Sequence, residues 1–172
     1  MKRIILVVAV LTLVLALVGC GAGNVGGDVS STGDTSSAET ESKLTEEEAE
    51  DSLDGLIAYL VSNGLMEKTN EKKMEAGFIG AKAGMRYSYR VGNSDVAIEL
   101  YEYDLNALDD TARDYIAQVE KDGKLTILDR EVTGAVMSDS GKYLMVYTDG
   151  STEEENVKRT EDLKAAFQAF KN

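Results

Sequence analysis

Few kinds of side chain are available for chemistry in this protein. Its 172 residues include no His, no Trp and a single Cys, at position 20. A Ser-His-Asp or Cys-His relay cannot be assembled, nor a Cys/His zinc site, nor an intrachain disulfide. What remains is acid–base work by carboxylates and lysines, and recognition by Arg and Tyr. The 31 acidic residues single out no catalytic pair by spacing. Asp109-Asp110 and Glu153 to Glu155 stand where helix first turns are expected, and complementing the helix dipole explains them. The stretch Gly77 to Gly84 contains Lys82 but has the spacing of neither a P-loop nor a dinucleotide fingerprint, so it reads as a loop or bulge. Nucleophile motifs of the GxSxG and SxxK kinds are missing too. One constellation is left: Arg86, Arg90, Glu99, Tyr101 and Tyr103. Arg beside Tyr offers bidentate and stacking contacts to an anionic or aromatic ligand, and this face is expected to contact a partner. No cofactor and no metal are expected.

These side chains must be placed by secondary structure. Alternation over residues 85–104 predicts a β-hairpin. Met85, Tyr87, Tyr89 and Val91 share one face of its first strand. A turn over Gly92 to Asp95 would pair Val91 with Val96, with Ile98 and Leu100 on the same apolar face. The other face would then carry Arg86, Ser88 and Arg90 opposite Tyr101, Glu99 and Ala97.

Helices are expected on either side of the hairpin. Thr45 and Glu48 form a capping-box pattern, and Ala49, Leu53, Leu56, Ile57 and Leu60 follow at helical spacing up to a stop at Asn63-Gly64. Gly55 would weaken that helix by ~1 kcal/mol relative to Ala. A second helix would be capped by Asn106, buried through Leu108, Ala112, Tyr115, Ile116 and Val119, and ended by Gly123. A short strand is expected at Leu125 to Leu128, then a second hairpin from Gly134 to Met137 and Tyr143 to Thr148. Thr152 and Glu155 suggest a cap for a last helix, lined by Leu163, Ala166, Phe167 and Phe170. The order α-β-β-α-(β)β-β-α predicts a two-layer α+β domain, with an antiparallel sheet of four to five strands and helices on one face. Residues 66–84 support no definite assignment.

The N-terminus has a different build. Lys2 and Arg3 precede an apolar run from Ile4 to Leu17 broken only by Thr12. Fourteen residues span about 21 Å as a helix, short of the ~30 Å hydrocarbon core. That is the build of a secretory signal peptide. The run ends in Leu17-Val18-Gly19-Cys20, which resembles the lipobox of bacterial lipoproteins. The resemblance implies transfer of diacylglycerol to the Cys20 sulfur, cleavage after Gly19 and a membrane partner reached through the lipidated Cys20. The stretch from Thr45 to the end, and above all Ile98 to Asp104 and Gly141 to Tyr147, is similar to small uncharacterised lipoproteins of Gram-positive bacteria, which again implies a lipid-anchored extracytoplasmic setting.

The expected organisation is a signal peptide at 1–19, a tether at 20–44 and one folded domain at 45–172. The tether is rich in Gly, Ser, Thr, Asp and Glu. Within it, Asp28, Ser30, Thr32, Asp34 and Glu39 fall at EF-hand spacing, but Ser and Thr replace the usual ligands and no helix precedes Asp28, so composition explains the match. The chain carries 18 basic and 31 acidic residues, a net charge of −13. Loss of Lys2 and Arg3 leaves 16 bases and a net charge of −15. Nucleic acid is not an expected partner of so acidic a chain. The expected function is a lipid-anchored binding or interaction module outside the cytoplasmic membrane, with an envelope protein or small anionic ligand as partner. A small lipidated enzyme using carboxylate acid–base chemistry is the alternative. A transporter's substrate-binding lipoprotein would need two lobes, and this chain is too short for them.

Overall fold

The computed structural model describes residues 43–172. The signal segment, Gly19, Cys20, the EF-hand-like spacing and nearly all of the tether lie outside the described residues. None of the described helices is long and apolar enough to cross a membrane.

Residues Thr45 and Glu48 do form a reciprocal box. The Glu48 carboxylate accepts the Thr45 N–H at 3.0 Å, and the Thr45 hydroxyl accepts the Glu48 N–H at 3.3 Å. The box closes a turn, however, and the helix does not start there. Helix α1 runs Leu53–Ser62 and is capped by Ser52, whose hydroxyl accepts the Gly55 N–H at 3.1 Å. Gly55 is therefore no mere weak point. A Cβ on it would lie 2.0 Å from the Glu50 carbonyl oxygen, so its bare backbone lets the chain double back into the helix. The expected stop holds: the Leu65 N–H reaches the Leu60 carbonyl at 2.9 Å and the Gly64 N–H reaches that of Val61 at 2.9 Å, a Schellman closure.

Residues 66–84 contain strand β1 (Lys72–Lys73) and a 3-10 turn at Ala76–Ile79. Strands β2 (Ala83–Val91) and β3 (Ser94–Glu102) form the first hairpin. Its turn is tighter than expected, with Val91 opposite Ser94 and Tyr89 opposite Val96. Gly92 takes φ 57° at the first turn position, which suits a two-residue turn of the II′ pattern. The register moves by two residues, an even step, so every side chain keeps its expected face.

Helix α2 (Asp110–Asp122) is capped by Asp109, not Asn106. The Asp109 carboxylate accepts the Ala112 N–H at 2.7 Å, while Asn106 donates its own N–H to Asp104. Then come β4 (Lys124–Ile127) and β5 (Arg130–Thr133), a separate two-stranded ribbon. Strands β6 (Ala135–Met137) and β7 (Tyr143–Asp149) form the last hairpin. Helix α3 (Glu154–Ala169) starts at Glu153 without the expected Thr152–Glu155 box. The Ser151 hydroxyl accepts the Glu153 N–H there at 3.2 Å.

The main sheet is antiparallel with order β1-β2-β3-β7-β6, confirming the α+β class. The layer count differs from the expectation, because both faces are covered. On one face, Leu56, Leu60, Leu163, Phe167 and Phe170 of α1, α3 and the α3 end pack on Tyr87, Ile98, Leu100, Tyr143 and Met145. On the other, Ala112 and Val119 of α2 and Leu125 of β4 pack on Tyr101, Tyr103, Leu144 and Val146. Strand β7 is apolar on both sides, which requires cover on both sides and makes a single helical layer insufficient.

Candidate functional site

The second face of the sheet brings together three of the five residues singled out by sequence. Arg86 on β2 stands directly across from Glu99 on β3, where Tyr101 had been expected. Arg86 Nη1 donates to Glu99 Oε1 at 2.8 Å. Tyr101 Oη donates to the other carboxylate oxygen, Oε2, at 2.8 Å. Tyr101 lies two residues along β3 on the same face, as the period of a strand dictates. Burial, followed by the Glu99 charge it donates to, pushes the Tyr101 phenol far above its usual range. At pH 7 it is a committed donor.

The other two residues do not join them. Arg90 sits at the turn end of the hairpin, where Nε pairs with Asp95 at 3.2 Å and Nη2 donates to the Asn93 carbonyl at 3.3 Å. Tyr103 is fully buried in the second core, and burial raises its phenol strongly. Its hydroxyl has no hydrogen-bond partner among the described residues. The sequence placed these residues on one face; strand length and the helix above separate them.

Two members of this cluster, Glu99 and Tyr101, line a groove of about 620 Å³, and Arg86 holds Glu99 from outside that lining. Glu99 and Tyr101 of β3 and Val146 and Thr148 of β7 form its floor. Leu125, Ile127 and Val132 of the ribbon form one wall, and Met74 and Ile79 contribute from the segment before β2. Leu128, at the ribbon tip, is 82% exposed beside the groove. Arg130 also lines it. The strand expected at Leu125 to Leu128 is β4, but sequence reasoning missed its partner β5, the ribbon they form, and Arg130 with it. The turn joining β4 to β5 is Leu128-Asp129, both at positive φ (49° and 61°). Such a turn normally announces itself by Asn or Gly.

Electrostatics inside the groove are uneven. Arg86 is neutralised by Glu99. Arg130 forms no ion pair among the described residues; Glu131, the next residue along β5 and therefore on its other face, pairs with Lys124 at 3.1 Å.

Two further polar clusters serve as fasteners. Buried Glu102 accepts from Lys82 at 3.1 Å and from the Leu53 N–H at 3.2 Å, joining the sheet to the start of α1. Lys142 and Tyr143 hold Asp51 beside it, at 3.0 and 2.7 Å. Asp149 gathers Ser94, Tyr147, the Ser151 N–H and Arg159. Burial pushes the Asp51 and Asp149 carboxyls up, but the hydrogen bonds they accept outweigh it and hold both below the ordinary aspartate range. A catalytic acid at neutral pH needs the opposite shift. Among the described residues no three carboxylates come close enough to hold a metal ion.

No protein-family model, curated protein or solved structure matches the chain.

Proposed function

We propose that the protein is a lipid-anchored extracytoplasmic lipoprotein whose folded domain binds a ligand in the groove between the sheet and the β4–β5 ribbon. The observation that carries the binding reading is the groove itself. It joins apolar walls to a small set of polar groups, Glu99, Tyr101, Thr148 and Arg130, with Arg86 holding Glu99 from outside the lining, and its volume falls in the ligand-sized range of about 300–1,000 Å³. The membrane setting rests on Leu17-Val18-Gly19-Cys20 after the apolar run. Diacylation at Cys20 exceeds the two-signal threshold for stable anchoring.

Two measurements on one set of strains test this. Membrane fractionation should place the wild-type chain with the membrane and release Cys20→Ala; a variant that stays bound contradicts the anchor. Native mass spectrometry of the domain recovered from cells should show a co-purifying mass that Thr148→Phe lacks, since Thr148 is exposed and lines the groove. A chain recovered without any added mass, or a Thr148→Phe chain that keeps it, contradicts the groove as the binding site.

A further inference from the structure

The chemistry of the groove narrows what it holds, given the binding reading above. Its lining is mostly aliphatic with one aromatic ring, Tyr101; Ile79, Leu125 and Val146 are largely buried, and Ile127, Leu128 and Val132 supply the open apolar surface, which suits a flexible hydrocarbon better than a planar ring. Its acidic group is already engaged: one Glu99 oxygen takes the Tyr101 hydroxyl and the other takes Arg86. A ligand ammonium would therefore meet a neutralised carboxylate. Arg130 is the opposite case, an exposed residue that lines the groove and is in no ion pair among the described residues. Guanidinium and carboxylate match in bidentate geometry. We infer that the groove takes a monomeric aliphatic carboxylate, with its hydrocarbon along the Leu125–Val132 wall and its acid group on Arg130. The domain is acidic overall, so the anion is recognised by one local cation and not by a general field.

The test uses residues 20–172 with Cys20→Ser, titrated calorimetrically with dodecanoate below its micellar range. The expected result is a one-to-one complex. Dodecylammonium, with the same tail and the opposite charge, should bind at least tenfold more weakly. Arg130→Gln should lower dodecanoate affinity about tenfold, a difference of about 1.4 kcal/mol, and the effect should shrink in high salt. Thr148→Phe should remove binding by occupying the groove. Val132→Thr keeps the size of that wall residue while making it polar. It should weaken dodecanoate about tenfold, and it serves as the second groove variant if Thr148→Phe melts early. The inference is overturned if dodecanoate fails to bind at millimolar concentration, if dodecylammonium binds as well, or if Arg130→Gln binds as the parent does. Association with phosphatidylglycerol vesicles but not with monomeric dodecanoate also overturns it. A co-purifying mass from cells that is sensitive to Thr148→Phe, found together with failure of dodecanoate to bind, would leave the groove a binding site and remove only the carboxylate assignment.

Discussion

Replacing Glu99 by Ala should expose how the polar edge of the groove is held. The Glu99 side chain is 19% exposed and takes one bond from Arg86 and one from Tyr101, each at 2.8 Å. The two partners are affected differently. Arg86 is 43% exposed, so its freed guanidinium finds water and its loss is at most ~1 kcal/mol. Tyr101 is 5% exposed, and its hydroxyl is left without a partner, at a cost of about 1–3 kcal/mol. The expected total is about 2–3 kcal/mol. In a domain of this size that lowers the melting temperature by roughly 10 °C. The diagnostic feature is coupling. Tyr101→Phe alone removes a bonded hydroxyl and should cost ~1 kcal/mol. With Ala at 99, the same change removes an orphan hydroxyl and should be neutral or favourable. Urea unfolding of the two single variants and the double variant should therefore give a coupling of about 1–2 kcal/mol. Additivity within ~0.5 kcal/mol would refute the claim that Tyr101 is bound to Glu99. An Arg86→Ala, Arg90→Ala double variant would not report on partner contact alone. Arg86 is committed to Glu99, so that variant would disturb the edge of the groove as well as any contact with a partner.

The fasteners and the glycines lead to further expectations. Asp149→Asn should cost about 2–3 kcal/mol at pH 7, because Arg159, whose side chain is 22% exposed, loses its anion. Asp149 has a lowered carboxyl in the folded state, so its contribution is complete above the ordinary aspartate value of about 3.9 and is lost as pH falls through the folded value. Unfolding followed between about pH 5 and pH 3 should show a smaller loss for Asp149→Asn than for the parent; equal losses would remove Asp149 from the acid transition. Gly134→Ala should be much worse than Gly141→Ala. Both sit at positive φ (78° and 72°), a strain of ~1–2 kcal/mol for Ala. Only at Gly134 would the Cβ lie 2.3 Å from the Tyr147 carbonyl oxygen, with nothing within 4 Å at Gly141. Equal melting temperatures for the two variants would contradict that packing.

The parts legible in the sequence were those set by short-range periodicity. Alternation along β2 and β3 put Arg86, Glu99 and Tyr101 on one face, and it survived a register error because the error was even. The apolar stripe of α3 and the Schellman stop of α1 are local signals and were read correctly. Helix starts were less legible. Thr45–Glu48 makes a genuine box that caps nothing longer than a turn, because Glu50 and Gly55 redirect the chain. The ribbon wall was hidden for another reason. Leu128 and Asp129 turn it against their local preference, while Leu125 of the ribbon shares a core cluster with Val146 that no local pattern announces. Arg130 could not be singled out before that wall was known. Its place in the groove is a property of the fold, not of its neighbours in the chain.

Methyl-resolved NMR of residues 20–172, Cys20→Ser, titrated with dodecanoate, tests the binding site most directly. The account predicts shifts at Ile79, Leu125, Ile127, Val132 and Val146, which line the groove, with Leu56, Leu60 and Leu163 on the opposite face unmoved. Shifts confined to the α1–α3 face, or none at saturating dodecanoate, would contradict it.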